Sequence, residues 1–405
     1  MQNKPQVLFL DRSTPPHIST LIVLAGVSAL AMNMFLPSLP QMAEHFDVTY
    51  AFMQLTVPLY LGVSAVIQVI IGPVSDKFGR RPVLLWGIAL FVLFSLICVY
   101  APNAEVFVFS RMGQAAIATG MVLSRAAIRD IYEQDQAASM IGFVTMGMAL
   151  VPMIAPIAGG ALDQLFGWKS VFWAFAIIGL LTFLMTWRDL GETAQSSGKT
   201  LVEQFKEYPE LLRAPRFWGY TLSAAFCAGA FFSFLGGAPF VGSELFGLTP
   251  FWVGICLGAP AIGYAIGNGV TGRLAQRVGI NRMIMAGSII NAGGLTVSLV
   301  IFLLGAGTPL SFFGFMTFVG LGNGLVMPNA TAGLLSVRPH LAGTASGLGG
   351  AIMIGGGAAL AALAGSLLTL ESGALPLMWI QVATAAGGLI AIISVFRRER
   401  RLGLA

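Results

Sequence analysis

The sequence predicts an all-α membrane protein of twelve transmembrane helices in two six-helix halves. Three observations carry that expectation. Of the 405 residues, 56% are hydrophobic and only 10% are charged, whereas a soluble domain carries about 25% charged residues. The apolar residues fall into twelve runs, each close to the roughly 20 positions a helix needs to cross a bilayer. Basic residues concentrate in alternate connections between those runs, the pattern that orients membrane helices.

Taken in order, the runs cover approximately 19–41, 50–71, 83–101, 105–127, 139–161, 170–187, 217–239, 251–271, 283–304, 310–333, 343–368 and 375–396. The segment before the first run is polar, with Lys4 and Arg12. The run itself is too long for a removable signal and lacks a small-residue cleavage site, so it reads as a retained first helix. With a cytoplasmic N-terminus, every inner segment holds lysine or arginine. Of the 22 basic residues, only Lys169 falls in an outer loop and only Arg111 inside a run away from its inner end. Both termini are therefore expected in the cytoplasm. The net charge of +5 then reflects topology, and no nucleic-acid partner is expected, because binding one needs a basic patch on a folded surface. Cys98, Cys227 and Cys256 lie within apolar runs without metal or redox spacing and read as core residues.

The longest polar interruption, 188–216, splits the runs six and six. The expected organisation is an N-terminal half 1–187, a cytoplasmic linker 188–216 and a C-terminal half 217–405. Within the linker, "TLVEQFKEYPELL" has apolar positions at helical spacing and fits either a surface-lying helix or a solvated tether. The halves echo each other: "GPVSDKFGRR" at 72–81 returns as "GRLAQRVGIN" at 272–281, with Gly72 matching Gly272, Lys77 matching Arg277 and Gly79 matching Gly279. Repeated halves place a binding site at their interface near the bilayer midplane, with rocking as the route to alternating access. That arrangement predicts a transporter of a small molecule. A membrane enzyme would need a catalytic constellation at membrane depth, and a channel would need rings of polar residues along a pore. The sequence offers neither, and no phosphate-binding loop, metal set or cofactor motif, so the energy source is expected to be an ion gradient.

"GPVSDKFGRRPVLL" (72–85) is the most specific string. Gly72 and Gly79 permit a tight turn and close helix approach, and Asp76 beside Lys77, Arg80 and Arg81 can latch neighbouring helices by charge pairing. The string resembles the signature loop of the major facilitator superfamily. In that family the acidic residue, here Asp76, and the basic residues stabilise the outward-facing state. "SRMGQAAIATG" (110–120) resembles the family's fourth-helix motif through Arg111 and Gln114, and "GMALVPMIAPIAGGAL" (147–162) resembles the fifth-helix motif associated with antiporters. The latter supplies Gly147, Pro152, Pro156, Gly159 and Gly160, with Ala155 where a glycine is usual; small residues and prolines there suit a kinked, closely packed helix. "MNMFLPSLPQMAEHF" (32–46), "QLTVPLYLGVSAVIQVIIGPVSD" (54–76), "RDIY" (129–132) and "PHLAGTASGL" (339–348) are similar to the bicyclomycin/chloramphenicol-resistance subfamily of drug:proton antiporters. The resemblance implies a multi-pass protein of the bacterial inner membrane, working as a monomer and exchanging drugs or amphiphilic metabolites for protons.

One residue departs from the subfamily: Asn33 stands where an acidic residue is usual. No acidic residue and no histidine falls in the middle of a run, although proton coupling ordinarily uses a buried titratable group. Import or facilitated diffusion of a neutral or anionic metabolite, without protons, is therefore the alternative. Polar side chains at membrane depth tend to face the bundle interior. Asn33, Gln54, Tyr60, Gln68, Arg111, Gln114 and Asn329 are the candidate cavity or coupling residues, with Asn268, Asn291, Asn323 and Gln381 as further buried amides. The aromatics Phe35, Phe231, Phe234 and Trp379 would complete an amphiphilic cavity.

Overall fold

The computed structural model describes residues 7–132, 134–194, 209–338, 341–401 and 403. A few further side chains, among them several in the fifth helix, lie outside the described set. Among the described residues, twelve long helical rods carry the chain. In order they are α1 (Ile18–Asn33, continued by Leu39–His45), α2 (Tyr50–Gln54 and Thr56–Phe78), α3 (Arg80–Val99) and α4 (Ala104–Gln114 and Ala118–Ile131). Then come α5 (Gln134–Phe166), α6 (Lys169–Asp189), α7 (Pro215–Phe240) and α8 (Pro250–Leu257 and Ala259–Val278). The last four are α9 (Ile280–Leu303), α10 (Met316–Val337), α11 (Ala342–Leu367) and α12 (Leu375–Arg401). Among the described residues, 11 of these rods are long and apolar enough to cross a membrane; α5, with 33 residues, is amply long to be the twelfth. The "TLVEQFKEYPELL" segment of the linker lies largely outside the described residues.

Proline explains most interruptions. It cannot donate to the carbonyl four residues earlier, and breaks at Leu55 and Gly258 precede Pro58 and Pro260. The break in α4 has no proline: a 3-10 turn at Ala115–Ile117 follows directly on Arg111 and Gln114.

The expected loop between the second and third helices is not a loop. α2 stays helical through Asp76 and Lys77 to Phe78, and α3 resumes at Arg80, so Gly79 alone makes the turn. Gly79 does so at φ 96°, where a Cβ would be strained, and its N–H donates to the Ser75 carbonyl at 2.9 Å. Gly279 repeats the device at φ 89°, donating to Ala275 at 2.9 Å. Gly72, expected to take part in the turn, is a helical residue. The repeat seen in sequence is thus a shared corner geometry.

Each half packs on itself: α1 against α4 and α5, α3 against α6, α7 against α11 and α12, and α10 against α8 and α9. Two seams join the halves, α2 with α11 and α5 with α8. At the face that carries the chain ends, Asp189 ties the end of α6 to the entry of α1 by accepting from the backbone N–H groups of Leu10 (2.7 Å) and His17 (2.9 Å). Glu399, near the end of α12, does the equivalent for α7 by pairing with Arg216 at 2.6 Å.

Candidate functional site

A cavity of about 790 Å³ lies between the halves. From Asn33, Tyr60 and Asn323 it reaches Asp76, Arg80 and Leu341 at the face bearing the chain ends. At the opposite, far face the halves are closed on each other. Of the sequence candidates, Asn33, Tyr60, Gln68, Gly72, Asp76, Arg80 and Pro152 line the cavity, as does Phe231. Ser64, Tyr220, Tyr264 and a set of methionines, including Met32, Met327 and Met353, also line it and were not singled out from sequence. Their positions in otherwise apolar helices carried no signal of which face they occupy.

The cavity's polar groups are largely uncharged, and several make no internal hydrogen bond. Asn33 donates through Nδ2 to the Ala29 carbonyl at 2.7 Å. That contact orients the amide and leaves Oδ1 without a partner among the described residues. Gln68 Nε2 and Asn323 Oδ1 are likewise unpartnered among the described residues. A buried polar atom left unpaired costs about 1–3 kcal/mol, so these atoms are poised for a ligand or water. Asp76 is the one carboxylate among the described lining residues, and it sits at the mouth, 2.5 Å from Arg80.

Arg111 does not line the cavity. It is fully buried, which excludes snorkelling to the surface. Its guanidinium carbon stands 3.9 Å from the ring centre of Phe35, 4.9 Å from Tyr60 and 6.0 Å from Phe172. Nη1 donates to Gln114 Oε1 and Nη2 to the Ala31 carbonyl at 3.2 Å. Gln114 in turn donates to Ser95 at 2.7 Å, and Ser95 to the Phe91 carbonyl at 2.7 Å. The charge is therefore held by aromatic faces and neutral oxygens, without a described carboxylate. Cation–π contacts strengthen when desolvated, to about 2 kcal/mol or more. Tyr60 belongs both to this cage and to the cavity wall, so the two are adjacent.

The motif at the α2–α3 corner is a network of ion pairs and hydrogen bonds. Arg80 pairs with Asp76, with Asp130 at 3.0 Å and with Ser75 Oγ. Its backbone N–H donates to Glu192 at 2.7 Å. Arg81 donates to the carbonyls of Leu190 (2.9 Å) and Trp187 (3.0 Å), fastening the corner to the end of α6. Lys77 is exposed and lies over its neighbour Phe78. Glu192 was not anticipated from sequence, because its partner lies more than a hundred residues away.

Gln54 is the clearest displacement from expectation. It lies outside the cavity, completely buried in the seal at the far face. Its Nε2 donates to the Ala361 carbonyl of α11 at 2.8 Å, and its side chain fills the slot opposite Gly236 and Gly365. Tyr50, one turn earlier, donates to the Gly236 carbonyl at 3.1 Å. These are the two hydrogen bonds described between the halves. Gln54→Leu removes a bond worth about 0.5–1.5 kcal/mol. It is expected to increase labelling of a far-face cysteine placed behind the seal by a factor of roughly 2 to 10; unchanged labelling would refute this role.

The α5 motif supplies the second seam. A Cβ on Gly160 would stand 2.2 Å from the Pro250 carbonyl oxygen of α8, and one on Gly254 would stand 2.3 Å from that of Pro156. Gly159 meets the Met34 carbonyl of α1 in the same way. Gly147 lies in the helical backbone, and its surroundings fall outside the described residues. Asn329, Asn291 and Gln381 sit away from the cavity wall: Asn329 donates to Leu325 at 2.8 Å, Asn291 to Cys227 at 3.3 Å, and Gln381 approaches Met316. Phe234 is buried in the core of the second half, and Trp379 is 54% exposed on the outer surface of the bundle.

Comparison with known proteins agrees with this architecture. The family model of the Major Facilitator Superfamily matches residues 21–362. An uncharacterized MFS-type transporter, YdgK, of Bacillus subtilis (strain 168) is 30% identical over 93% of this chain and 94% of its own. The chloramphenicol resistance protein of Pseudomonas aeruginosa is 29% identical over 81% and 79%, and multidrug resistance protein D of Escherichia coli (strain K12) is 26% identical over 90% and 95%. Among solved structures, a peptide transporter, POT, superposes with a TM-score of 0.78 over 98% of this chain and 97% of its own, at 15% identity, a likeness of fold alone. With the twin corners, the ion-pair network around Arg80 and the cavity between two six-helix halves, these matches establish that the chain is a membrane transporter belonging to the major facilitator superfamily.

Proposed function

We propose that this transporter exports small amphiphilic molecules, neutral or weakly anionic, from the cytoplasm across the bacterial inner membrane by alternating access. The reading places both termini in the cytoplasm, following the distribution of basic residues, so the cavity is open inward and sealed outward. Residues 1–187 and 217–405 act as the two rocking bodies, joined through 188–216, in a single chain. The observation that carries the reading is the chemistry of the cavity: apolar and methionine-rich walls, hydroxyl groups and unpartnered amide atoms, and no described carboxylate deeper than Asp76. A lipophilic cation would find no counter-charge there. An uncharged solute with hydroxyl or amide groups would meet Asn33, Ser64, Gln68 and Asn323, and flexible methionines adapt to varied apolar shapes. The relatives named for chloramphenicol and multidrug resistance point to the same substrate class.

Exchange for protons is the coupling we propose. A proton-independent facilitator is the second reading, favoured by Asn33 at the position that is usually acidic and by the absence of a described carboxylate around Arg111. Proteoliposomes with an imposed pH gradient decide between them, using matched neutral, cationic and anionic amphiphiles. Gradient-driven accumulation of the neutral member is expected. Equilibration that ignores the gradient would establish the facilitator, and strict preference for the cation would sink the substrate assignment. Asn33→Asp in the same assay is expected to admit the cationic member, because it adds a counter-charge to the cavity wall. Unchanged charge selectivity would show that Asn33 does not face the substrate.

A further inference from the structure

The end of α12 carries Arg397, Arg398, Glu399, Arg400 and Arg401. As sequence, this is a basic cluster that fixes topology. The structure separates it into two faces with different chemistry. Glu399 turns inward: Arg216 lies 2.6 Å and the Tyr220 hydroxyl 3.0 Å from its Oε1, and Asn281 donates to Oε2. It is thereby committed, and does not neutralise its arginine neighbours.

On another face, Ile390, Ile393, Ser394, Arg397, Arg398 and Arg401 line one groove with Pro215, the first residue of α7. Their spacing of three, four, seven, eight and eleven places them on one stripe of the helix. The groove encloses about 480 Å³. Arg397, Arg398 and Arg401 are exposed, and none forms an ion pair with a described residue. Ile390, at the other end of the stripe, is 69% exposed. With a rise of 1.5 Å per residue, Ile390 lies about 12 Å deeper than Arg398, close to the separation between a phospholipid phosphate and the upper part of its acyl chain. The stripe is apolar along the span and three-fold cationic at its end.

We propose that this groove is a binding site for an anionic phospholipid. Its phosphate is held by Arg397, Arg398 and Arg401, and an acyl chain lies along Ile390 and Ile393. Guanidinium forks match phosphate oxygens geometrically and are held less tightly by water than ammonium groups. A zwitterionic lipid brings its own ammonium and gains less from three arginines, so the site selects net negative charge. The bound lipid screens arginines that otherwise repel one another at i, i+3 and i+4 spacing. Through Pro215 it bridges α12 to the start of α7, beside the Glu399–Arg216 pair. This proposal rests on the fold and is independent of the substrate and coupling readings.

Native mass spectrometry of the full chain, released from mixed dioleoylphosphatidylglycerol and dioleoylphosphatidylcholine, tests it. Phosphatidylglycerol adducts are expected to dominate for the wild type. They should fall about tenfold in the combined Arg397→Gln, Arg398→Gln, Arg401→Gln chain, and persist when the same three are changed to lysine. The combined Arg273→Gln, Arg277→Gln, Arg282→Gln chain, altered at the α8–α9 corner, is expected to keep them. Should the first glutamine variant fail to fold, Ser394→Glu places a carboxylate in the groove and is expected to expel the lipid. Equal binding of both lipids by the wild type, retention of adducts in the glutamine variant or in Ser394→Glu, or full competition by soluble glycerol phosphate would overturn the proposal. The last outcome would mark a simple anion site.

Discussion

Arg111→Met is expected to abolish substrate transport while leaving the thermal stability of the purified protein unchanged or higher. Taking an ion out of water costs several kcal/mol, and even buried ion pairs can often be replaced by well-packed apolar residues without loss of stability. Here that cost is offset only by aromatic faces and two neutral oxygens. A charge kept on such terms at membrane depth is a functional feature by default. Through Tyr60 it stands directly behind the cavity wall, and through Gln114 it reaches Ser95. Transport in proteoliposomes should fall at least about tenfold, equivalent to roughly 1.4 kcal/mol of lost transition-state stabilisation. The melting temperature of the same preparation is the paired readout. Full transport by Arg111→Met would show that the charge is structural; lost transport with a collapsed melting temperature would show the same.

Gly160→Leu is expected to trap the protein with the far face open and to stop turnover. The added Cβ would meet the Pro250 backbone carbonyl at 2.2 Å, and backbone on both sides leaves no flexible side chain to give way. Interiors this tightly packed transmit such a clash as a shift between discrete arrangements. Moving an equilibrium from 1:99 to 99:1 takes about 5.5 kcal/mol, within reach of a steric overlap of this kind. Distance measurements between spin labels across the far face should lengthen, and those across the face bearing the termini should shorten. Gly159→Leu is the contrasting control, because Gly159 meets Met34 within the same half; it should damage folding without selecting a conformation. An unchanged distance distribution in Gly160→Leu would refute the seam as a moving contact.

Much of the architecture was legible because membrane helices must satisfy their backbone internally, which leaves apolar length as a direct signal. The twelve rods and the corner repeat at Gly79 and Gly279 follow from that signal and from the recurrence of one string. The site was legible in part. Asn33, Tyr60 and Gln68 do line the cavity, because polar groups at membrane depth face inward. The same argument misplaced Gln54, Gln114 and Asn329, which face inward toward other helices, and it could not single out Ser64 or Tyr220. Facing the interior and facing a cavity are different conditions, and an amide satisfies the first simply by donating to a neighbouring carbonyl, as Gln54 does to Ala361. The broken fourth helix and Glu192, the partner of the Arg80 corner, depend on contacts between residues far apart in the chain and left no local trace.

By itself, the sequence determined the membrane class, the succession of helices, the duplication, the family and the presence of one charge that topology does not explain. Those properties are set by composition, period and local order, which are one-dimensional. Only the tertiary structure decided that Arg111 is caged behind the cavity wall rather than lining it, that Gln54 and Gly160 close the far face, and that Glu399 turns away from the arginines beside it. Each of those is a choice of partner across helices, fixed by packing and by the need to satisfy buried polar groups. Sequence spacing along a single helix cannot make that choice.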